Sequence, residues 1–369
     1  MTKTIKFGTN QQEFYATLSQ RVNNYFKTKN LSRNANAEMV IKTVFMFSLF
    51  LVPFAVILTG VVTSFAVYIL LSIVMGFGIA GIGLSIMHDA NHGAYSSKPW
   101  INDLLGYSLN LVGANAFNWK IQHNVLHHTF TNIYEVDEDI SPRGVLRMSP
   151  DSPYKSFHRF QHLYAWFLYG LMTIVWVIAK DFFRLIRYQK DGLIKKQKAS
   201  VAKEWAILIV TKVVYVIYII VIPVMILPFT GWQIAAAFVV MHFVAGFILA
   251  IVFQPAHVVE GTSYFMPDAN GNLENTWAIH QLYTTTNFAH DNKVLSWYVG
   301  GLNFQVEHHL FPNVCHVHYR HLSSIVEETA NEFGLPYKMK DTFWDAIVAH
   351  GKLLKELGAT RPSPVLATA

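Results

Sequence analysis

The stretch that decides the fold is residues 43–87, TVFMFSLFLVPFAVILTGVVTSFAVYILLSIVMGFGIAGIGLSIM, which contains no Lys, Arg, Asp or Glu. At a helical rise of roughly 1.5 Å per residue, this run is about twice as long as the ~30 Å hydrocarbon core of a bilayer is thick. The run therefore predicts two membrane-spanning helices that turn near Gly60, which together form a helical hairpin.

A second charge-free run covers residues 213–259 and contains LPFTGW as its turn. It predicts a second hairpin over 213–256, so that the chain crosses the membrane four times. The sequence therefore predicts an all-α, multi-pass membrane protein. In this interpretation the two hairpins carry a helical cap on the cytoplasmic side, and the cap holds a histidine-rich site.

The Lys and Arg residues are distributed unevenly along the chain. Of the 29, seven precede the first hairpin, fifteen lie between the hairpins, seven follow the second, and the hairpin turns contain none. The positive-inside rule then places both termini and the central segment in the cytoplasm, and we expect a bacterial inner membrane. Contact with anionic headgroups explains the net charge of +6, and no nucleic-acid motif is present.

The segments between and beside the hairpins predict one membrane domain, 1–369. Its parts are an N-terminal helix (1–42), the first hairpin (43–87), a cytoplasmic segment (88–212), the second hairpin (213–256), another cytoplasmic segment (257–358) and a tail (359–369). The apolar segment 166–179 is too short to span and predicts an interfacial or buried helix. With Cys315 as its one cysteine, the chain has no intrachain disulfide, iron–sulfur site or CxxC motif.

The segment FNWKIQHNVLHHTFTN places His123, His127 and His128 at positions i, i+4 and i+5. On a helix, residues four apart lie on one face and the fifth lies beside them, so the three imidazoles point to a common region. Imidazole is the commonest side-chain metal ligand. Taken alone, the triplet fits a metal site and a surface or capping role equally well.

Two further clusters favour the metal site. SIMHDANHGAY places His88 and His92 four residues apart, and LNFQVEHHLFP carries Gln305, His308 and His309. Seven of the seventeen histidines fall in these three boxes. One ion takes three or four protein ligands, as at zinc sites, so seven histidines fit two ions. Imidazole suits zinc, copper, iron and nickel, so the ligand type does not identify the metal.

The boxes carry a resemblance to a known family. The chain has no HExxH helix of a zinc protease, and it lacks the Glu-x-x-His ligands of soluble di-iron bundles. HDANH, HNVLHH and QVEHH resemble the three histidine boxes of the integral-membrane fatty acid desaturases. GGLNFQVEHHLFP is similar to the front-end (Δ5/Δ6-type) and bacterial linoleoyl-CoA desaturase-like branch, and the resemblance covers residues 40–335.

This resemblance implies an enzyme that inserts a cis double bond into an acyl-CoA or acyl-lipid chain. It also implies two iron ions (Fe2+/Fe3+) in a non-haem centre and O2 as co-substrate. The sequence has no His-Pro-Gly-Gly haem motif, and the 42 residues before the first run are too few for a fused cytochrome b5 domain. We therefore expect a separate electron donor, either ferredoxin or cytochrome b5 with its reductase.

Carried over residue by residue, the resemblance implies eight metal ligands. They are His88, His92, His123, His127, His128, His257, His308 and His309. His257 corresponds to the histidine that the family has at the end of its last span. Gln305 departs from the commoner pattern, in which a histidine opens the third box, but the front-end branch also has Gln there. Gln305 and Asp89 are therefore candidates for a ligand or for a partner of one.

Carboxylates near the boxes are further candidates for holding the ligands, because a ligating imidazole usually donates its second N–H to an acceptor. Glu307 and the run at 137–139 qualify, with solvated surface charge as an equally good alternative. His158 and His162 have the spacing of the first box, but we expect them to anchor the 166–179 helix. His242 lies within a span and is expected to make hydrogen bonds there. The other histidines are predicted not to bind metal: His280, His290, His316, His318, His321 and His350.

Two alternative functions share these features. A di-iron membrane hydroxylase of an alkane, sterol or carotenoid would use the same irons and differ in its substrate tunnel. A non-catalytic metal or haem protein is the other alternative. Haem held between two histidines of facing spans needs histidines within the spans, where the sequence offers only His242.

Overall fold

The computed structural model describes residues 5–141 and 144–359. The predicted tail lies outside these residues except for position 359. Within the described chain the fold is helical, apart from isolated bridges and one parallel pair of two-residue strands, Asn287–Phe288 and Met339–Lys340. The all-α prediction is confirmed.

The chain folds as two compact units. The described residues within 1–36, 122–165 and 252–369 form the first, which we call the histidine unit because it contains the second and third boxes. Residues 37–121 and 166–251 form the second, which we call the span unit. The description of the chain as one domain stays a prediction.

Four helices of the described chain are long and apolar enough to cross a membrane. They are Ala37–Leu58 (span 1), Phe65–Asn91 (span 2), Val201–Ile226 (span 3) and Gly231–His257 (span 4). They are arranged as the two predicted hairpins, with the turns after Leu58 and Ile226. Many of their apolar side chains are exposed, as lipid-facing residues of a span are expected to be.

Span 3 begins at Val201, whereas the charge criterion placed the second hairpin from residue 213. The difference arises from Lys212, which is buried within the helix. Its ammonium group lies 2.7 Å from the Asp181 carboxylate and donates to the carbonyl oxygens of Gly113 and Trp176. A lysine that is paired and hydrogen-bonded in this way is compatible with a span, as intramembrane charges usually are.

The apolar segment predicted at 166–179 belongs to a longer, bent helical region. Ser156–Gly170 and Met172–Lys190 meet at Leu171 with a bend of 59°, and by length and composition the pair also qualifies as a broken fifth span. Its interfacial or buried placement stays a prediction. The other helices of the span unit are Pro99–Gly106, Ser108–Leu111, Ala116–Trp119 and Leu193–Lys196.

The histidine unit contains an N-terminal helix, Gln12–Lys29, that packs against Tyr319–Glu332 through a stripe of buried apolar residues. The stripe is Phe14, Leu18, Val22 and Phe26, which recur every four residues on one helical face. Further helices of the unit are Trp277–Thr284, Lys293–Tyr298, Gln305–Leu310, His316–His318 and Phe343–Leu357. The helix Lys120–His127 carries His123 and His127 of the second box.

Glycines allow the spans to approach closely, as small residues do at membrane helix interfaces. A Cβ atom at Gly78 of span 2 would lie 2.7 Å from the backbone nitrogen of Phe50 in span 1. At Gly76 it would lie 2.6 Å from the carbonyl oxygen of Met241 in span 4. Both contacts are with backbone, which cannot move aside as a side chain can.

We predict that Gly78→Ala destabilises the protein, because its methyl group would overlap the backbone of span 1. Overpacking of this kind costs roughly 1–3 kcal/mol. Gly231→Ala is the matched control, since nothing lies within 4 Å of a Cβ atom there and span 4 begins at that residue. Thermal unfolding of the purified protein in detergent measures both. A Gly78→Ala midpoint at or above that of Gly231→Ala would contradict the close approach.

Candidate metal centre

The second box lies on a π-helix, Lys120–His127, and not on the α-helix assumed from the sequence. In a π-helix each N–H group bonds the carbonyl five residues earlier. The N–H of His128 accordingly donates to the carbonyl oxygen of His123 at 2.9 Å. His123 and His128 therefore lie close together, with ring centroids 4.7 Å apart, and the ring of His127 stacks on that of His123 at 5.2 Å.

Three imidazoles from three separate elements meet in the histidine unit: His127 from the second box, His257 from the end of span 4 and His309 from the third box. Their ligand nitrogens lie within 4.8 Å of one another, and all three side chains are fully buried. We call these residues cluster A. The structure thus brings the isolated His257 together with box residues, and its ligation of metal stays a prediction.

Each imidazole of cluster A has its Nδ1 atom near an oxygen acceptor. The acceptors are the Asp137 carboxylate for His127 (3.0 Å), the Gln281 amide oxygen for His309 (2.8 Å) and the Thr284 carbonyl for His257 (3.4 Å). A neutral imidazole carries one proton, so a proton on Nδ1 leaves the Nε2 lone pair available as a ligand. Such outer partners orient the histidines of metal sites.

A second group, cluster B, consists of His123, His128 and His308. The Nε2 atom of His128 lies 3.2 Å from Nε2 of His123 and 2.9 Å from Nε2 of His308. The Nδ1 atom of His308 is 3.2 Å from the Tyr319 hydroxyl. Ligand nitrogens of His128, His308 and His309 also lie within 4.8 Å of one another, so cluster B adjoins cluster A.

The donor set fits bound metal. Nε2 of His127 is buried without a hydrogen-bond partner, while Nδ1 of the same ring is engaged by Asp137. A buried polar atom without a partner costs roughly 1–3 kcal/mol, and a cation at this position would remove that cost. The Nε2 atoms that converge in cluster B would be stabilised by a cation in the same way. The six imidazoles are at most 5% exposed, so water has little access to them.

Asp137 is the acidic partner of the centre. Its burial raises the pKa of the carboxyl, but His127 and the backbone N–H groups of Asn132 and Asp139 outweigh this and lower the pKa overall. Asp137 is therefore ionised and accepts hydrogen bonds. Asp139 lies further away, with a carboxylate oxygen 3.7 Å from Nδ1 of His123 and 3.9 Å from Nδ1 of His127.

Several supporting residues were missed in the sequence. Gln281 accepts from Thr131 and from His309, and Trp277 donates its indole N–H to the carbonyl of His128 at 2.9 Å. Asn132 donates to the carbonyl of His257 at 2.9 Å. These are neutral residue types without a metal-ligand spacing, so no local pattern could have identified them.

The remaining box residues have other neighbours. Glu307 is directed to the Tyr337 hydroxyl and the Asn287 amide, both at 2.8 Å, and burial raises its pKa to about 7. Gln305 is buried at the start of the third-box helix, and its side chain lies beside His257. Glu307 therefore holds the helix of the third box and does not hold an imidazole.

The first box lies in the span unit, at the end of span 2. The rings of His88 and His92 lie 4.8 Å apart, and both pack edge-on against Trp119 at 5.5 and 5.7 Å. A carboxylate oxygen of Asp89 lies 3.8 Å from Nδ1 of His88. The structure thus brings these two histidines together. Their ligation of metal stays a prediction.

Several histidines that were predicted not to bind metal use one or both ring nitrogens in hydrogen bonds outside the two clusters. His242 bonds the Tyr215 hydroxyl at 2.6 Å and Thr173 at 3.1 Å within the span unit, as predicted. His158 accepts from the Lys155 N–H and donates to the Gly144 carbonyl, each at 3.1 Å. His280 bonds the Thr131 carbonyl at 2.7 Å.

Comparison with known proteins identifies the family. The family model described as fatty acid desaturase matches residues 63–341, and the chain belongs to this family. It is 35% identical to an sn-1 linoleoyl-lipid 6-desaturase of Arthrospira platensis and 36% identical to one of Synechocystis sp.. These matches cover 96% of the chain and 95% and 98% of the relatives. An acyl-lipid (8-3)-desaturase of Physcomitrium patens is 35% identical over 97% of the chain and 74% of the relative.

The protein is therefore a fatty acyl desaturase, an oxidoreductase of fatty acid metabolism in a membrane. Relatives named as 6-desaturases and Δ5 desaturases support the front-end type. The alternatives of a hydroxylase and a non-catalytic metal or haem protein are not favoured. The prediction of the family from the three boxes is confirmed.

We predict that His257→Ala loses bound metal and activity as severely as His127→Ala, because each removes one imidazole of cluster A. The double variant His158→Ala, His162→Ala should keep its metal, since the ring nitrogens of His158 bond the backbone. Metal per chain and product yield at matched expression measure this. Metal loss in the double variant with full occupancy in His257→Ala would show that the wrong histidines were chosen.

A second prediction concerns Asp137. Asp137→Asn removes the charge that orients His127, and loss of such a partner typically weakens metal affinity roughly 10- to 100-fold. Titration of the metal-free protein with Fe2+ under anaerobic conditions measures the affinity. Asp191→Asn is the control, because that carboxylate forms an exposed pair with Arg187, and such pairs contribute little. Equal affinities of the two variants would refute the role of Asp137.

Proposed function

We propose that the protein is an O2-dependent front-end desaturase that inserts a cis double bond at position 6 of a linoleoyl chain esterified in a membrane lipid. The observation that carries the proposal is the pair of adjoining imidazole clusters, because their number and geometry fit two metal ions. The position and the lipid-bound substrate are inferred from the two relatives named linoleoyl-lipid 6-desaturases, which the chain covers almost completely.

The ions are two irons in this proposal. Clusters A and B supply six ligands, and His88 and His92 of the first box supply two more. Gln305 offers an amide oxygen next to His257 as a further candidate ligand. Two bound irons would supply the activation of O2 that removal of hydrogen from an unactivated methylene requires.

The residues around the clusters hold the ligand imidazoles in one tautomer and exclude water. Asp137, Gln281 and the Thr284 carbonyl keep the proton of each cluster A ring on Nδ1. Tyr319 does the same for His308 when its hydroxyl accepts. Because these partners are already in place, the ligands need no rearrangement when metal binds, which is what preorganisation of a site requires.

The reaction balances with an external donor. One hydrogen is removed from each of two neighbouring methylenes, and O2 takes up these two hydrogens, two electrons and two protons to give the alkene and two water molecules. We propose ferredoxin or cytochrome b5 with its reductase as the donor. The charge asymmetry of the chain supports a cytoplasmic centre, because the boxes flank the Lys- and Arg-rich segments.

We predict close to two irons per chain in the purified protein and a new double bond at position 6 in a host supplied with linoleic acid. Elemental analysis measures the iron, and mass spectrometry of the fatty acid derivatives locates the double bond. His127→Ala is the inactive control. Full activity of a preparation that contains zinc alone would overturn the di-iron assignment.

The acyl carrier requires a separate measurement. Purified protein with reduced ferredoxin and O2 should convert linoleoyl chains in phospholipid vesicles and leave linoleoyl-CoA unchanged. Conversion of the CoA ester alone would overturn the lipid-bound substrate while leaving the di-iron assignment intact. Turnover with NADPH and O2, without a donor protein, would overturn the need for a separate donor.

A further inference from the structure

Phe253 lies in the last turn of span 4, one helical turn before His257, and its ring contacts both clusters. The ring centroid is 5.0 Å from His127 and 5.0 Å from His257 of cluster A, and 6.0 Å from His123 of cluster B. The side chain is half-buried, so part of the ring remains accessible. Phe253 thus presents an accessible apolar surface directly beside the imidazoles.

An acyl chain offers no polar group near the carbons that react. Hydrogen bonds therefore cannot determine which methylene pair lies at the metal centre, and shape and van der Waals contact must do so. The reacting methylenes have to lie close to both clusters if both hold metal. A ring that touches both clusters is consequently adjacent to the reacting part of the chain.

Tyr319 provides a useful contrast. Its ring also packs against a cluster histidine, at 6.0 Å from His308, but the side chain is 1% exposed and its hydroxyl bonds Nδ1 of that histidine. Tyr319 is therefore placed to hold a ligand. Phe253 has no polar group and cannot hydrogen-bond a ligand, so the accessible part of its ring offers apolar contact only.

We propose that Phe253 is the specificity-determining contact that positions the acyl chain at the metal centre and selects the methylene pair that is desaturated. This inference rests on the proposed function, since it requires an acyl substrate at these clusters. A misfit of one methylene in an apolar site typically changes selectivity roughly 10- to 200-fold. The effect of replacing Phe253 should therefore appear in the position of the double bond.

The test compares Phe253→Leu with Phe247→Leu, the same substitution on the same helix at another half-buried position. Both are expressed in a host supplied with linoleic acid, and the new double bonds are located by mass spectrometry. For Phe253→Leu, iron per chain should stay near the wild-type value. The ratio of the wild-type product to products shifted by one or two carbons should fall, by an amount in the roughly 10- to 200-fold range.

Phe247→Leu should give the wild-type product pattern. Phe253→Met, which keeps most of the side-chain volume, is the second variant and should shift the pattern in the same direction if Phe253→Leu yields too little protein. Unchanged double-bond positions in both Phe253 variants, at any rate of turnover, would overturn the proposal. If wild-type protein makes no product from linoleic acid, the proposed substrate is wrong instead.

Discussion

The centre depends on one constraint: imidazoles that share a small, nearly dry volume can bind metal only if each offers one ring nitrogen as a lone pair and holds its single proton on the other. A protonated ring has no lone pair to offer, imidazolium ions repel one another, and a buried lone pair without a partner is unfavourable. The structure meets this constraint in cluster A with an oxygen acceptor at each Nδ1 atom. Those acceptors come from two segments far apart in the sequence: Asp137 follows the second box, and Gln281 and the backbone of Thr284 belong to the helix Trp277–Thr284.

This constraint also explains why so much of the histidine unit is polar and yet buried. Asn132 links the second-box turn to the end of span 4, and Thr131 and Gln281 link that turn to the helix Trp277–Thr284. Each of these side chains makes hydrogen bonds to two or more groups, so the network restricts the orientations that the ligand imidazoles can adopt. Networks of this kind rigidify a site because each member is fixed by several others.

The class of fold was predictable because a bilayer allows few solutions. Two long, continuous apolar runs indicate helical hairpins, since the hydrocarbon core admits only helices and closed barrels, and barrel strands alternate apolar and polar residues. The boundaries were less predictable. Lys212 interrupts the charge-free run, but Asp181, which pairs with it, lies 31 residues away and cannot be recognised as its partner from local sequence. The first residues of span 3 were therefore assigned to the preceding segment.

The eight candidate ligands followed from spacing and from the resemblance to desaturases, but their division into clusters did not. In the α-helical interpretation, His123 and His127 form the natural pair of the second box. The π-helix adds an i, i+5 contact between His123 and His128, while His127 also reaches His257 and His309 and so belongs to cluster A. Neighbouring residues of one box thereby serve two different clusters.

The π-helix also accounts for the compactness of the centre. On a regular α-helix the adjacent residues His127 and His128 would point about 100° apart. His123, four residues before His127, would lie on the same face as His127. With the i, i+5 arrangement, one short segment delivers two imidazoles to cluster B and one to cluster A, although only three residues separate His123 from His127. Two adjoining clusters can then share one helix, so that His257 and the pair His308 and His309 complete them with few additional elements.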